Sequence, residues 1–346
     1  MTGRPQDSRS GATAAGDPAS IDALGPLGFP DPGPPRFTSV ADVRDRLARA
    51  GYLADDSIAG VVHLADRLAK PVLVEGPAGT GKTELAKSVA RITGSRLIRL
   101  QCYEGLDESK ALYEWNYKKQ LLRIQAQRIV ADVADVAGAA EVAGAAEHGG
   151  EARGRPGTTW HDLEDDIFSE EFLLTRPLLE AIRSADPVVL LVDEVDRLEL
   201  ETEALLLEVL SEYQVSIPEL GTVRAERLPL VFLTSNNTRE LSEALKRRCL
   251  FLHIDFPDPD LERRILLSRV PELPEKIADE LVRIIGVLRG MQLKKLPSVA
   301  ETIDWGRTVL ALGMDTLDDA MIAATLGVVL KHQSDQQRAA GELKLN

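Results

Sequence analysis

The chain has 346 residues and a formal net charge of −14, with 28% charged and 44% hydrophobic residues. This length is enough for two or three domains with sizeable cores. The acidic balance argues against a nucleic-acid binder, because such affinity rests on clustered Lys and Arg facing phosphates. No apolar run reaches the ~20 residues of a membrane span, and the N-terminus lacks the apolar segment of a secretion signal. We therefore expect a cytoplasmic protein without membrane insertion.

The two cysteines, Cys102 and Cys249, lie far apart in the sequence. They form neither a disulfide framework nor a metal-ligand pattern, which agrees with a reducing compartment. We expect both to pack as small hydrophobic residues.

Two stretches of low complexity mark the organisation of the chain. Residues 1–35 are rich in Pro, Gly, Ser and Asp, which predicts a disordered tail. A helix capped by Ser39 is expected to begin the ordered part. Residues 130–158 contain the near-duplication AGAAEVAGAAE and predict an exposed insertion that carries no chemistry.

Between these stretches, apolar strand patterns alternate with helical patterns. The predicted strands lie at 71–76, 95–102, 187–194, 228–237 and 250–256, and the helices between them at 83–94, 177–185 and 201–213. Alternation of this kind, with nearly continuous Val and Leu in the strands, predicts a parallel β-sheet covered on both faces.

After residue 256 the strand patterns stop, and helical patterns follow. One of these helices opens with Ser298 and Glu301 at capping-box spacing. We expect an α/β domain with a central parallel β-sheet over residues 36–256, a small all-α domain over 257–335, and a C-terminal tail over 336–346.

Residues 76–83 read GPAGTGKT, between a predicted strand and a predicted helix. This is the context in which a G-x-x-x-x-G-K-T run binds nucleotide phosphates. Glycines let backbone N–H groups surround the phosphate oxygens, the helix start adds a positive dipole end, and the lysine neutralises the β and γ phosphates. The predicted ligand is a nucleotide bound through its phosphates, held by Gly76, Pro77, Ala78, Gly79, Thr80, Gly81, Lys82, Thr83 and Glu84.

The most apolar predicted strand ends in LLVDE, with Asp193 and Glu194. Beside a phosphate loop, an Asp in this position is expected to hold Mg²⁺ together with the hydroxyl of Thr83. Glu194 can polarise an attacking water, which favours hydrolysis over transfer to an acceptor. A solvated strand end is the structural alternative for both carboxylates.

The next predicted strand ends in TSNN. Asn236, or its neighbour Asn237, is expected to share the hold on the attacking water; a turn-forming Asn pair is the alternative.

The motifs GPAGTGKT, LLVDE, TSN, EALKRRC and DWGRTVLAL follow one another in an order that resembles AAA+ ATPases, over residues 40–330. The stretch LIRLQCYEGLDESKALYEWNYKKQLLRIQ resembles the MoxR branch and, within it, the CoxD-like proteins linked to maturation of carbon monoxide dehydrogenase-type enzymes. The insertion at 130–158 departs from the compact pattern of that branch.

The resemblance implies an AAA+ P-loop NTPase domain followed by a helical lid. It assigns the phosphate loop to Lys82 and Thr83, the acidic strand end to Asp193 and Glu194, and the polar sensor to Asn236. Arg307 in DWGRTV matches a lid arginine that contacts the nucleotide; a solvated helix arginine is the alternative. It also explains the cationic cluster in EALKRRC, because an arginine there reaches the nucleotide of a neighbouring subunit, as charge on a transferring phosphoryl group requires.

Arg248 is the first candidate for this trans finger and Arg247 the second; a helix C-terminus that favours cations is the alternative. A trans finger implies a homo-oligomer, expected as a hexameric ring. By resemblance, the ring acts on a client metalloenzyme with a von Willebrand A-domain partner. The competing hypotheses are a nucleotide-gated binding module with slow turnover and a nucleic-acid motor, which the net charge disfavours.

Two further stretches lie outside the nucleotide motifs. The segment ALYEWNYKKQLL carries Tyr113, Trp115 and Tyr117 at spacing two, as either a client-facing element or one face of a hairpin packed on the body. The segment YQVSIPELGTV (213–223) has the turn signals of a β-hairpin.

Overall fold

The computed structural model of the chain describes residues 34–126, 167–313 and 316–344. The expected insertion at 130–158, and all but the last two residues of the expected tail at 1–35, lie outside these ranges. No helix within them is both long and apolar enough to traverse a lipid bilayer.

The strands form one central sheet and two short two-stranded ladders. They are β1 (Val72–Glu75), β2 (Arg96–Gln101), β3 (Tyr113–Trp115), β4 (Leu173–Thr175), β5 (Val188–Asp193), β6 (Gln214–Ile217), β7 (Gly221–Arg224), β8 (Leu230–Ser235) and β9 (Leu250–His253). The central sheet has the order β2-β5-β8-β1-β9, and every pairing in it is parallel. The predicted parallel sheet is confirmed, and its carboxyl edge brings the ends of β1, β5 and β8 together.

The helices flank this sheet and then form a separate bundle. They are α1 (Val40–Arg49), α2 (Asp56–Leu68), α3 (Lys82–Thr93), α4 (Glu108–Ala111), α5 (from 117 to the edge of the described residues at 126), α6 (Pro177–Arg183), α7 (Leu200–Glu212), α8 (Glu243–Arg248), α9 (Pro259–Arg269), α10 (Glu275–Arg289), α11 (Val299–Ala311), α12 (Asp319–Val329) and α13 (Gln333–Glu342).

The sheet is buried on both faces because its side chains alternate along each strand. Val72 and Val74 of β1 point into a cluster with α1, α2 and α3, whereas Leu73 points into the cluster with α6 and α7. All three side chains are at most 1% exposed. This two-sided burial accounts for the nearly continuous apolar character of the strands.

Helix starts follow the capping residues in the sequence. Ser39 accepts a hydrogen bond from the backbone N–H of Asp42 and caps α1. At α11, the Ser298 side chain accepts from the N–H of Glu301, and the Glu301 carboxylate accepts from the N–H of Ser298. Both predicted caps are confirmed, and the second fixes the start of a helix that borders the candidate site.

The helical bundle has its own core, centred on Trp305. This side chain is fully buried, and its indole N–H donates to Thr325 Oγ1 at 2.8 Å. A buried ion pair joins Glu262 of α9 to Arg289 of α10, with contacts of 2.6 and 2.8 Å. The expected C-terminal tail at 336–346 requires correction, because α13 covers residues 333–342 and buries Ala339 in the bundle core.

The two stretches that lie outside the nucleotide motifs belong to the two-stranded sheets. Strand β6 pairs antiparallel with β7, so the predicted hairpin is confirmed. Tyr113 and Trp115 lie on β3, which pairs with the distant strand β4. Trp115 is 7% exposed and contacts Phe168 edge-on, whereas Tyr117 is 65% exposed. One aromatic therefore packs on the body and another faces solvent.

Candidate functional site

A cavity of about 770 Å³ lies between the α/β domain and the helical bundle. The loop between β1 and α3 forms one wall, and residues 299–307 of α11 form another. Asp193, Glu194 and Asn236 line its floor at the carboxyl edge of the sheet. Parallel strands that end together thus bring side chains from three separate segments to one place.

The loop after β1 contains three glycines with positive φ. Gly76, Gly79 and Gly81 have φ values of 149°, 78° and 97°, in the region that side chains disfavour. A Cβ at Gly76 would lie 1.9 Å from the carbonyl oxygen of Ile254, so glycine is required there. Helix α3 begins directly after this loop and directs its N-terminus at the cavity.

Lys82 is 6% exposed and donates to the carbonyl oxygens of Gly76 and Pro77, at 2.7 and 2.6 Å. Burial lowers the pKa of Lys82, while Asp196, Asp193 and Glu194 act in the opposite direction. The ammonium group is held inside the loop, within reach of an anion that enters the cavity.

Asp193 accepts hydrogen bonds at both of its carboxylate oxygens. Its Oδ1 accepts from the hydroxyls of Thr83 at 2.9 Å and Thr234 at 2.5 Å. Its Oδ2 accepts from Arg99, with Nε at 3.0 Å and Nη2 at 2.5 Å. Oxygen donors of this kind suit Mg²⁺, which takes few protein ligands and keeps several waters. The pair Thr83 and Asp193 therefore fits a magnesium ion.

Glu194 adopts a left-handed backbone, with φ of 59° and ψ of 49°. Its N–H donates to Thr234 Oγ1 at 2.9 Å, and its carboxylate pairs with Arg197 at 2.7 Å. A non-glycine residue in this region carries a conformational cost, and such residues cluster at active sites. The turn directs the Glu194 side chain to the cavity wall rather than along the strand.

The loop that carries Asn236 is tied to the turn after Glu194 by a buried carboxylate. Asp196 Oδ2 accepts from the N–H of Thr238 at 3.0 Å and from its hydroxyl at 2.6 Å. Burial raises the pKa of Asp196, but hydrogen bonds from Thr238 and the Asn236 backbone outweigh burial and hold it below its usual value. Asn236 lines the cavity, whereas Asn237 is exposed in a left-handed conformation with φ of 58°.

Arg307 lines the cavity from α11 and pairs loosely with Asp304 at 3.4 Å. A second arginine of the bundle, Arg269 of α9, also lines the cavity and pairs with Glu84 at 3.3 Å. Tyr52, which follows α1, also lines the cavity. Neither Arg269 nor Tyr52 was predicted from the sequence. No local motif marks Tyr52 or Arg269, because only the tertiary fold brings them to the phosphate loop.

Two predicted residues lie away from the cavity, on α8. Arg248 donates to Ser211 Oγ and, at 2.9 Å, to the carbonyl oxygen of Ala244. Arg247 is exposed, and its side chain has no hydrogen bond or ion pair among the described residues. Neither guanidinium contributes to the cavity of its own chain.

The central parallel sheet, its flanking helices and the helical C-terminal region form the fold of an AAA P-loop NTPase. Residues 71–249, just over half of the chain, match the AAA domain (dynein-related subfamily). The chain belongs to this family and carries an AAA+ ATPase domain.

Similar proteins include two staphylococcal proteins that are themselves uncharacterised. One, from Staphylococcus haemolyticus (strain JCSC1435), is 20% identical over 304 residues, which cover 85% of this chain and 97% of that protein. The other, from Staphylococcus aureus (strain bovine RF122 / ET3-1), is 21% identical over 230 residues, covering 65% and 70%. A solved structure of a mutant RuvB from Thermotoga maritima is 14% identical, covers 90% of this chain and 72% of that one, and has a TM-score of 0.42.

Proposed function

We propose that this chain hydrolyses ATP with Mg²⁺ in the cavity between its two domains. The observation that carries the proposal is the convergence of Lys82, the Thr83–Asp193 pair and Glu194 on one cavity. Hydrolysis of a nucleoside triphosphate requires these three elements together: a cation for its phosphates, oxygen ligands for its metal, and a base beside the attacking water.

The residues divide the chemistry in the following way. Lys82 leaves the loop carbonyls and neutralises phosphate oxygens, while Thr83 and Asp193 hold Mg²⁺ directly or through its waters. The bound metal neutralises charge on the β and γ phosphates. Glu194 polarises the attacking water, and Asn236 holds that water from the neighbouring strand end. Arg307 contacts the γ-phosphate from α11.

The proposed active site is completed by a second copy of the chain, within a hexameric ring. Arg248 is our first candidate for the residue that reaches the neighbour's nucleotide, and Arg247 is the second. Arg247 is the more available of the two, because Arg248 must first leave Ser211. A guanidinium supplied in this way accelerates phosphoryl transfer by ~10³–10⁵.

We further propose that the ring remodels a client protein, as a MoxR-type chaperone for maturation of a metalloenzyme. The basis is the resemblance of residues 97–125 to the CoxD-like branch, which also implies a von Willebrand A-domain partner. The exposed Tyr117, next to the packed Trp115, offers a client-facing position on this stretch.

Mixing experiments test the shared site. Arg248→Ala and Lys82→Ala proteins should each be inactive alone, and their mixture should regain hydrolysis, because some mixed interfaces contain one intact loop and one intact finger. Mixing Arg247→Ala with Lys82→Ala in the same way shows which of the two arginines is the trans finger. Failure of both mixtures to recover, with assembly of every variant shown by sedimentation, would contradict a trans finger on α8.

A second function, a nucleotide-gated binding module with slow turnover, is favoured by one observation. The Glu194 carboxylate is paired with Arg197 at 2.7 Å, and this pair competes with the contact of Glu194 to an attacking water. This function predicts tight ATP binding, and partner binding and cellular activity that survive Glu194→Gln. Loss of the cellular phenotype with partner binding retained would exclude it.

A further inference from the structure

Asp193 forms an ion pair with an arginine of its own chain, Arg99. Arg99 lies on the edge strand β2, paired through Leu191 with β5, and directs both Nε and Nη2 to Asp193 Oδ2. The Arg99 side chain is 46% exposed, whereas that of Asp193 is 4% exposed. A buried carboxylate at the proposed metal site is therefore neutralised from outside the cavity.

The carboxylate of Asp193 is also held by contacts other than those with Arg99. Its other oxygen, Oδ1, is fixed by the hydroxyls of Thr83 and Thr234 at 2.9 and 2.5 Å. Burial restricts the carboxylate further. The remaining contribution of Arg99 is its charge, in a site where Asp193, Glu194 and Asp196 lie within four consecutive residues.

This charge has opposite effects on a triphosphate and on a divalent cation. With Arg99 in place, Asp193 repels a metal-free triphosphate less and attracts Mg²⁺ less. Without it, the uncompensated carboxylate repels the triphosphate and attracts the metal more strongly, because charge interactions at a few Å are strong in a partly buried site.

We infer that Arg99 is the internal counter-cation of Asp193 and sets how strongly nucleotide binding depends on Mg²⁺. This role rests on the proposed function, because it presupposes that a triphosphate and Mg²⁺ occupy the cavity. Arg99 acts through its charge on Asp193 and is not among the residues that line the cavity.

The test is the affinity for a non-hydrolysable ATP analogue, measured by calorimetry in excess Mg²⁺ and again in EDTA. The ratio of the two affinities is the Mg²⁺ enhancement. We expect Arg99→Gln to raise this enhancement by about tenfold, mainly through weaker binding in EDTA, and Arg99→Lys to leave it within about twofold of the unmodified chain.

Arg96→Gln is the matched control. Arg96 lies on the same strand and also pairs with a carboxylate, Glu180, but away from the cavity. We expect its Mg²⁺ enhancement to equal that of the unmodified chain. Thermal melting of each variant establishes that it is folded before binding is measured.

Several outcomes overturn the inference. An unchanged or lower enhancement in Arg99→Gln would show that Arg99 orients Asp193 or only stabilises the fold. A large change in Arg99→Lys would contradict a role based on charge, and it decides the matter even if the Gln variant does not fold. Absence of any binding by the unmodified chain would instead contradict the proposed function, and this inference would fall with it.

Discussion

Arg197 and Glu194 form an ion pair across a single helical turn, with Arg197 Nε 2.7 Å from Glu194 Oε2. The two side chains are 52% and 33% exposed, and pairs with such exposure contribute about 0.2–1 kcal/mol. Since Glu194 is the proposed base, the pair competes with its role in hydrolysis. Arg197→Gln should therefore raise kcat by up to about fivefold, without a change in ATP affinity.

Steady-state hydrolysis and equilibrium binding check this prediction. Arg283→Gln is the control, because Arg283 forms an ion pair with Glu280 at the same sequence spacing and distance, in the helical bundle. A fall in kcat for the Arg197 variant would show that the pair holds Glu194 ready rather than withholding it.

The phosphate loop touches the start of α11, and this contact leaves no room for a side chain at Gly79. A Cβ there would lie 2.3 Å from Ser298 Cβ. Gly79→Ala should weaken ATP binding at least about tenfold, because either the loop or α11 must move. Gly94→Ala, at φ of 63° with open space around it, should leave ATP affinity unchanged.

Gly94→Ala should lose ~1–2 kcal/mol of stability, the cost of a left-handed alanine, and Gly79→Ala should lose more, because its Cβ also meets Ser298. Binding calorimetry and denaturation of the two proteins separate the steric effect from the backbone effect. Equal ATP affinities in the two variants would show that the contact with Ser298 does not shape the binding site.

Glu203 on α7 anchors the segment that leads into α8. It is 1% exposed and accepts from Arg239 at 2.9 Å and from the N–H of Ser242 at 2.8 Å. Glu203→Gln breaks this partly buried ion pair, in which the Arg239 side chain is 33% exposed, so the free energy of unfolding at neutral pH should fall by about 1–3 kcal/mol. Glu208→Gln, at an exposed position of the same helix, should leave it unchanged.

The contribution of Glu203 depends on pH in a defined direction. Burial raises the pKa of Glu203, but hydrogen bonds from Ser242 and Arg239 outweigh burial and lower it below the ordinary value of 4.5. A lowered pKa contributes stability above the ordinary value, and that stability is lost as the pH falls through the folded-state pKa. The stability difference between Glu203→Gln and the unmodified chain should therefore narrow below pH 4.5, and a constant difference in denaturant titrations would contradict this origin.

Arg307 extends from α11 into the cavity, with a side chain that is 60% exposed. If it contacts the γ-phosphate, Arg307→Gln should weaken ATP binding by about tenfold and ADP binding much less, since only ATP carries that group. Arg264→Gln, an exposed position of α9, is the control. Equal losses for ATP and ADP would assign Arg307 to another part of the nucleotide.

The sequence predicted those parts of the fold and site that depend on local pattern. The alternation along β1 and the capping box of Ser298 and Glu301 are short-range signals, so the sheet and the start of α11 could be predicted. The C-terminal end could not, because α13 is polar along most of its length. Its attachment through Ala339 and Asp335 becomes visible only when the bundle is packed.

Contacts between segments that are far apart in the chain could not be predicted from the sequence. Arg99 and Asp193 are separated by 94 positions, and no spacing rule connects them. Arg269 contacts Glu84 across 185 positions. The contact forms only because the helical bundle packs next to the phosphate loop. The sequence likewise could not show which of Asn236 and Asn237 lines the cavity, because this depends on how the chain turns after β8.

ATP binding and hydrolysis by Glu194→Gln test the central claim most directly, with Glu199→Gln, an exposed neighbour, as the control. We expect the Glu194 variant to bind MgATP as tightly as the unmodified chain and to lose hydrolysis by at least about a hundredfold, the lower range of a general-base contribution. Hydrolysis at the unmodified rate by the Glu194 variant would contradict the assignment of the reaction to this cavity.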